Sequence, residues 1–249
     1  MEFAITPCPN DTFAFYAMIK KIGGGISFDF ARHDIETLNE LAFSARYPIT
    51  KLSFPAFLAN REKYEILDAG AALGIGTGPV FVARKNWGGG KVAVPGLNTT
   101  AALLYKFYAG KNAEIFPMIF SDILPAFAEN KIDAGVLIHE GRFVFKDRGL
   151  ELVQDLGDYW TEKTSLPVPL GCICVRKDFL RLKSEIEGQI RASIKYAFAH
   201  FEETIPLVKR YAQHLQDDVL RKHITAFVNE YSLDISAIKE KLISNLLQQ

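Results

Sequence analysis

Residues Gly135-Val136-Leu137-Ile138 form an apolar run that stops abruptly at His139 and Glu140. Four consecutive small or apolar residues without alternation describe a strand buried on both faces, as in a parallel sheet of an α/β protein. In open α/β sheets the carboxyl ends of such strands face the ligand crevice. His139 stands at such an end, and an imidazole there titrates near neutral pH and can take or give a proton. By position alone two readings stand: a base in a cleft, or a ring satisfied by backbone carbonyls at the rim of a core.

The rest of the chain alternates in the same way. Phe3 to Thr6, Ile26 to Ala31 and Ile49 to Ser53 read as strands. Between them run a helix opened by Pro7-Cys8-Pro9-Asn10-Asp11-Thr12 and ending near Lys21, and a helix capped by Asp34 with Ile35, Leu38, Leu41, Ala42 and Ala45 on one face. After Gly88-Gly89-Gly90 a second series begins: Lys91 to Val94, a helix from Asn98-Thr99-Thr100 to about Tyr108, Glu114 to Phe120, a helix capped by Ser121-Asp122, and the strand bearing His139. Leu166 to Gly171 is extended and fixed by prolines, and Cys172 to Arg176 returns as a strand. A helical tail follows, with Ile186, Ile190, Ile194, Ala197 and Phe201 on one face and Leu220, Ile224, Phe227, Val228 and Tyr231 on another.

This order describes two α/β lobes. Residues 1–84 and 171–249 form a large discontinuous lobe and residues 85–170 a small one. Two crossings, near Phe81–Arg84 and Pro169–Cys172, act as a hinge and put a ligand cleft between the lobes.

Composition narrows the function classes. The 249 residues are 49% hydrophobic and carry 29 basic against 29 acidic side chains, so no charge excess favours nucleic acid or an anionic membrane. The first residues lack a basic and apolar leader, and the least polar stretch, Ala69 to Ala83, is short and broken by glycines. Three cysteines suggest no disulfide framework. A cytoplasmic location is expected. A homodimer is compatible with the chain.

Three segments carry polar groups toward the expected cleft. Asn10, Asp11 and Thr12 follow two prolines, with Asn10 or Asp11 expected to cap the helix and its free amides suited to an anion or hydroxyl. Thr99 and Thr100, after the cap expected at Asn98, place two hydroxyls beside unpaired amides where a carboxylate fits. Thr50-Lys51-Leu52-Ser53 ends a strand with an ammonium and a hydroxyl. Each has a bland alternative as a rigid cap or ordinary surface. Gly74-Ile75-Gly76-Thr77-Gly78 lacks the helix a dinucleotide loop needs, Cys172-x-Cys174 has the wrong spacing for zinc and reads as core, and no Gly-x-Ser-x-Gly elbow occurs. His33, His200, His214 and His223 read as solvated or packed.

The ordered set resembles the 1,4-dihydroxy-6-naphthoate synthase family of the futalosine route to menaquinone. The matching pieces are Thr6 to Phe13, Asp34 to Asn39, Thr50 to Ser53, Val94-Pro95-Gly96 with Thr99-Thr100-Ala101, Ile138 to Phe143, Pro167 to Gly171, and Phe227-Val228-Asn229 through Ser232-Leu233-Asp234. The likeness covers nearly the whole chain. It implies a periplasmic-binding-protein-like (type II) α/β fold used as a carbon–carbon lyase. The implied substrate is cyclic dehypoxanthinyl futalosine, a small-molecule carboxylate, and the implied products are 1,4-dihydroxy-6-naphthoate and dihydroxyacetone. No metal or other cofactor is implied. The family's proton acceptor falls on His139 and its substrate-contacting segments on Lys51, Leu52, Ser53, Thr99 and Thr100. Thr99 and Thr100 would hold the carboxylate, while Ser53 and Asn10-Asp11-Thr12 face the sugar portion. Asn98, Gly141, Cys172 and Cys174 depart from the residues familiar in the family. A non-catalytic solute-binding protein and the related chorismate dehydratase are the competing readings.

Overall fold

The computed structural model describes residues 1–139, 141–211 and 216–248, and within them the strands gather into two sheets. The first sheet uses β1 (Glu2–Ile5), β2 (Asp29–Arg32), β3 (Ile49–Leu52), β4 (Tyr64–Ile66) and β5 (Ala72–Gly74). The second uses β6 (Val80–Ala83), β7 (Val92–Val94), β8 (Ile115–Pro117), β9 (Ala134–Leu137) and β10 (Glu151–Asp155). The long β11 (Val168–Arg176) then returns to the first, where it pairs antiparallel with β3, β4 and β5.

Strand order is β2-β1-β3-β11-β4 in the first sheet, with β5 on β11, and β10-β6-β9-β7-β8 in the second. β9, the strand that leads to His139, is buried along its whole length, as an apolar run without alternation requires. Its surroundings differ from the expected parallel sheet. It runs parallel to β7 but antiparallel to β6, because β6 enters directly from the other lobe rather than through a crossover helix.

The crossings also lie elsewhere than expected. Val80–Ala83 pairs in the second sheet, and Val168 and Pro169 pair with Gly74 and Leu73 in the first. The chain therefore changes sheets between Gly74 and Val80, and again between Asp155 and Val168. An apolar Val-Phe-Val-Ala run announces a buried strand but not which sheet receives it. At the crossings Gly78 and Gly157 lie backbone to backbone: a Cβ on Gly78 would come within 2.7 Å of Gly157 Cα, so neither position accommodates a side chain without displacement.

The helical tail packs on the first sheet. Ile186, Ile190, Ile194, Leu220 and Ile224 join Phe3, Ile5, Ile49, Ile173 and Val175 in one buried cluster. Cys172 and Cys174 point to one face of β11, with their sulfurs 3.6 Å apart in the core, as the strand period demands.

Candidate active site

The opening turn builds the first wall of the cleft. Cys8, not Asn10 or Asp11, is the N-cap of the helix Pro9–Ala14, and Pro9 at its first position presets the helical φ. Asn10 and Asp11 consequently lie inside the first turn. The helix ends at Phe15, and a separate turn, Tyr16–Ile19, replaces the single helix expected to Lys21. Asp11 faces inward. Its Oδ2 accepts from the Thr6 amide at 3.1 Å and the Thr6 hydroxyl at 2.6 Å, and its Oδ1 accepts from Asn10 Nδ2 at 2.9 Å. Lys51, from β3, forms an ion pair with the same carboxylate. Its ammonium is thus taken up by protein, not displayed as a free ligand for substrate.

Ser53 is held from behind by Asn39. The Asn39 Nδ2 donates to Ser53 Oγ at 3.1 Å, and the Ser53 amide donates to Asn39 Oδ1 at 2.9 Å. Asn39 lies on the helix Ile35–Ala42, which Asp34 caps through the amides of Glu36 and Thr37, as expected. Glu36 of that helix reaches across the cleft. Its carboxylate accepts from the Asn98 amide at 3.0 Å and from Asn98 Nδ2 at 2.8 Å. Asn98 is therefore an interlobe contact; the N-cap of the helix Thr100–Ala109 is Thr99, whose Oγ1 accepts from the Ala102 amide. The Thr100 hydroxyl donates to Pro169 O at 2.7 Å. With Ala102 capped, the amides of Thr100 and Ala101 remain in the first turn without intrahelical partners, at residues that line the cleft.

His139 closes the opposite side. It is half-buried and adopts φ +53°, a left-handed backbone uncommon for a residue other than glycine and concentrated at functional sites. The Cys8 thiol lies against its ring, 3.5 Å from Nε2 and 3.7 Å from Nδ1. Phe120 meets the ring edge-on with centroids 5.1 Å apart, and His223 stacks at 5.7 Å with an interplanar angle of 25°. Burial, and secondarily the Lys51 ammonium, push the imidazole down to about 4 against the opposing pull of Asp11. At neutral pH the ring is an unprotonated acceptor.

The cleft between the sheets brings together Asn10, Lys51, Ser53, Thr99, Thr100 and His139. Asp11 stands one layer behind, on Lys51. Leu52 and Thr12 do not line it, Leu52 because consecutive strand residues alternate faces and Lys51 takes the cleft side. Glu140 and His214 lie outside the described residues. His33, donor or acceptor to the Tyr47 hydroxyl at 2.8 Å, and His200, stacked on Tyr196, are packing residues as expected. Cys8, Phe120 and His223 were not expected at the site. Only Cys8, between two prolines next to a site segment, carries a local signal that could have found it.

Two α/β lobes joined by two crossings, with polar side chains from both converging on one cleft, define a periplasmic-binding-protein-like fold. The ligand-binding component of an ABC-type import system from Staphylococcus aureus shares it, with a TM-score of 0.71 at 11% identity over 100% of this chain and 91% of that one. The chain belongs to the menaquinone biosynthesis family, whose model matches residues 1–249. A Thermus thermophilus protein named 1,4-dihydroxy-6-naphtoate synthase is 39% identical over 254 residues, covering 100% of this chain and 93% of its own. A crystal structure of an Archaeoglobus fulgidus protein is 36% identical, with a TM-score of 0.93 over 99% of this chain and 95% of that one.

Proposed function

We propose that this protein is a 1,4-dihydroxy-6-naphthoate synthase, a carbon–carbon lyase that converts cyclic dehypoxanthinyl futalosine to 1,4-dihydroxy-6-naphthoate and dihydroxyacetone. His139 is the general base. It removes a proton from a sugar hydroxyl, the ring opens, and carbon–carbon cleavage follows, drawn forward by aromatisation of the bicycle. The observation that carries this reading is His139 itself: neutral, on a left-handed backbone, at the wall of an interlobe cleft in a chain of this family. Base catalysis of this kind contributes typically ~10²–10⁴-fold.

The aromatic carboxylate is held at the start of the helix Thr100–Ala109, by the amides of Thr100 and Ala101 and the positive end of the helix dipole. Ser53 and Asn10 face the sugar portion from the other lobe. Asp11 acts from behind these groups through Lys51, whose side chain lines the cleft. The proposed setting is the cytoplasm; among the described residues no helix is long and apolar enough to cross a membrane.

Incubation of the purified protein with the cyclic substrate, followed by mass spectrometry, tests the activity. The naphthoate and dihydroxyacetone should appear together. Binding without turnover would instead support a solute-binding protein, and dehydration of chorismate would support the related dehydratase.

A further inference from the structure

His223 lies on the helix Asp217–Phe227, on the same buried face as Leu220, Ile224 and Phe227, and is itself 0% exposed. A leucine would satisfy that packing. The ring instead makes a directed contact with the other end of the chain: its Nε2 lies 3.1 Å from Asn10 Oδ1. Because Asn10 Nδ2 donates to Asp11, Asn10 Oδ1 is the acceptor, and His223 carries its hydrogen on Nε2. Nδ1 is then the lone-pair nitrogen, and this buried atom has no hydrogen-bond partner among the described residues. An orphaned buried acceptor costs ~1–3 kcal/mol, which pure packing gives no reason to retain.

We propose that His223 is a positioning residue for the reaction assigned to His139, holding Asn10 in the cleft wall through Nε2 and backing the His139 ring with its own. The inference rests on that assignment of His139. Its geometry is a chain of contacts from the helix Asp217–Phe227 to the cleft: His223 to Asn10, Asn10 to Asp11, Asp11 to Lys51. His223 also packs on Phe227, with centroids 4.7 Å apart. Burial, with His139 and Lys51 nearby, holds His223 well below the usual histidine range, so the ring remains neutral beside Lys51.

The test compares His223→Phe, which keeps a ring but loses the donor, with His223→Gln, which returns an N–H donor toward Asn10 without the ring. Misplacing a reacting group by ~1 Å can cost ~10²-fold, so His223→Phe should lower kcat by about 10- to 100-fold with KM changed less than about threefold. His223→Gln should recover part of kcat. In the wild-type protein, histidine ¹⁵N NMR should show a neutral Nε2–H tautomer for His223 throughout about pH 5–8, a readout that survives even if a variant fails to fold. Wild-type kcat in folded His223→Phe, or an Nδ1–H or charged His223 at neutral pH, would overturn the inference. His139→Gln separates the two ideas. Loss of activity there with an undisturbed His223→Phe sinks only the role of His223, whereas activity retained in His139→Gln removes the base.

Discussion

Lys51 and Asp11 form an ion pair almost sealed from water, their side chains 7% and 4% exposed, with Lys51 lining the same cleft as His139. A pair in such a place is costly to break, because removing one partner leaves a buried charge uncompensated. Lys51→Met should destabilise the protein by roughly 3–5 kcal/mol, read from denaturant unfolding. The two halves of the pair act on His139 with opposite sign: Lys51 lowers its affinity for a proton and Asp11 raises it. NMR titration of His139 should therefore move upward in Lys51→Met and downward in Asp11→Asn. Shifts in the same direction would show that neither charge is felt at the ring.

The depressed histidines also set how stability depends on pH. Folded His139 titrates at about 4 against an ordinary 6.5, and His223 is shifted in the same direction. The unfolded chain therefore binds more protons across this interval, so stability is complete above the ordinary value and falls as pH drops toward the folded one. Tm should decline between about pH 7 and 5, and the decline should be shallower in a His139→Asn, His223→Phe double variant. An equal slope in both proteins would contradict the assignment of two neutral rings.

Thr100, at the proposed carboxylate site, is tied to β11 by its hydroxyl, which donates to Pro169 O. Thr100→Val keeps the shape and removes the hydroxyl. Loss of one such bond is worth ~1 kcal/mol, so the loosened helix start should raise KM by about fivefold while the fold survives. An unchanged KM would remove Thr100 from substrate positioning.

Glu36 and Asn98 fasten one lobe to the other, with both Asn98 amide groups donating to one carboxylate. Glu36→Ala should open the cleft in solution, seen as a larger radius of gyration by small-angle scattering. KM should rise several-fold, about the effect of losing ~1–2 kcal/mol of hydrogen bonding to a charged group. Identical scattering profiles would mean that the lobes are held together elsewhere.

The parts of the site legible in the sequence are those set by local chemistry. Asp34 caps its helix because its carboxylate reaches amides two and three residues ahead, and Cys172 and Cys174 share a face because strands repeat every two residues. The caps lie one to three residues away from Asn98 and from Asn10 or Asp11, whose side chains bond Glu36, His223 and Lys51 of distant segments instead. The bond between His223 and Asn10 spans 213 positions, and nothing local distinguishes His223 from other histidines on a helical face. The sheet that receives Val80–Ala83 was illegible for a related reason. A run buried on both faces records burial and not its neighbours.

The role of His139 as the base is tested most directly by the single-turnover rate of His139→Gln with cyclic dehypoxanthinyl futalosine, alongside circular dichroism to establish that the variant is folded. The rate should fall by about 10²- to 10⁴-fold, with substrate binding retained through the Thr100 helix start. A folded His139→Gln protein that forms 1,4-dihydroxy-6-naphthoate at close to the wild-type rate would contradict it.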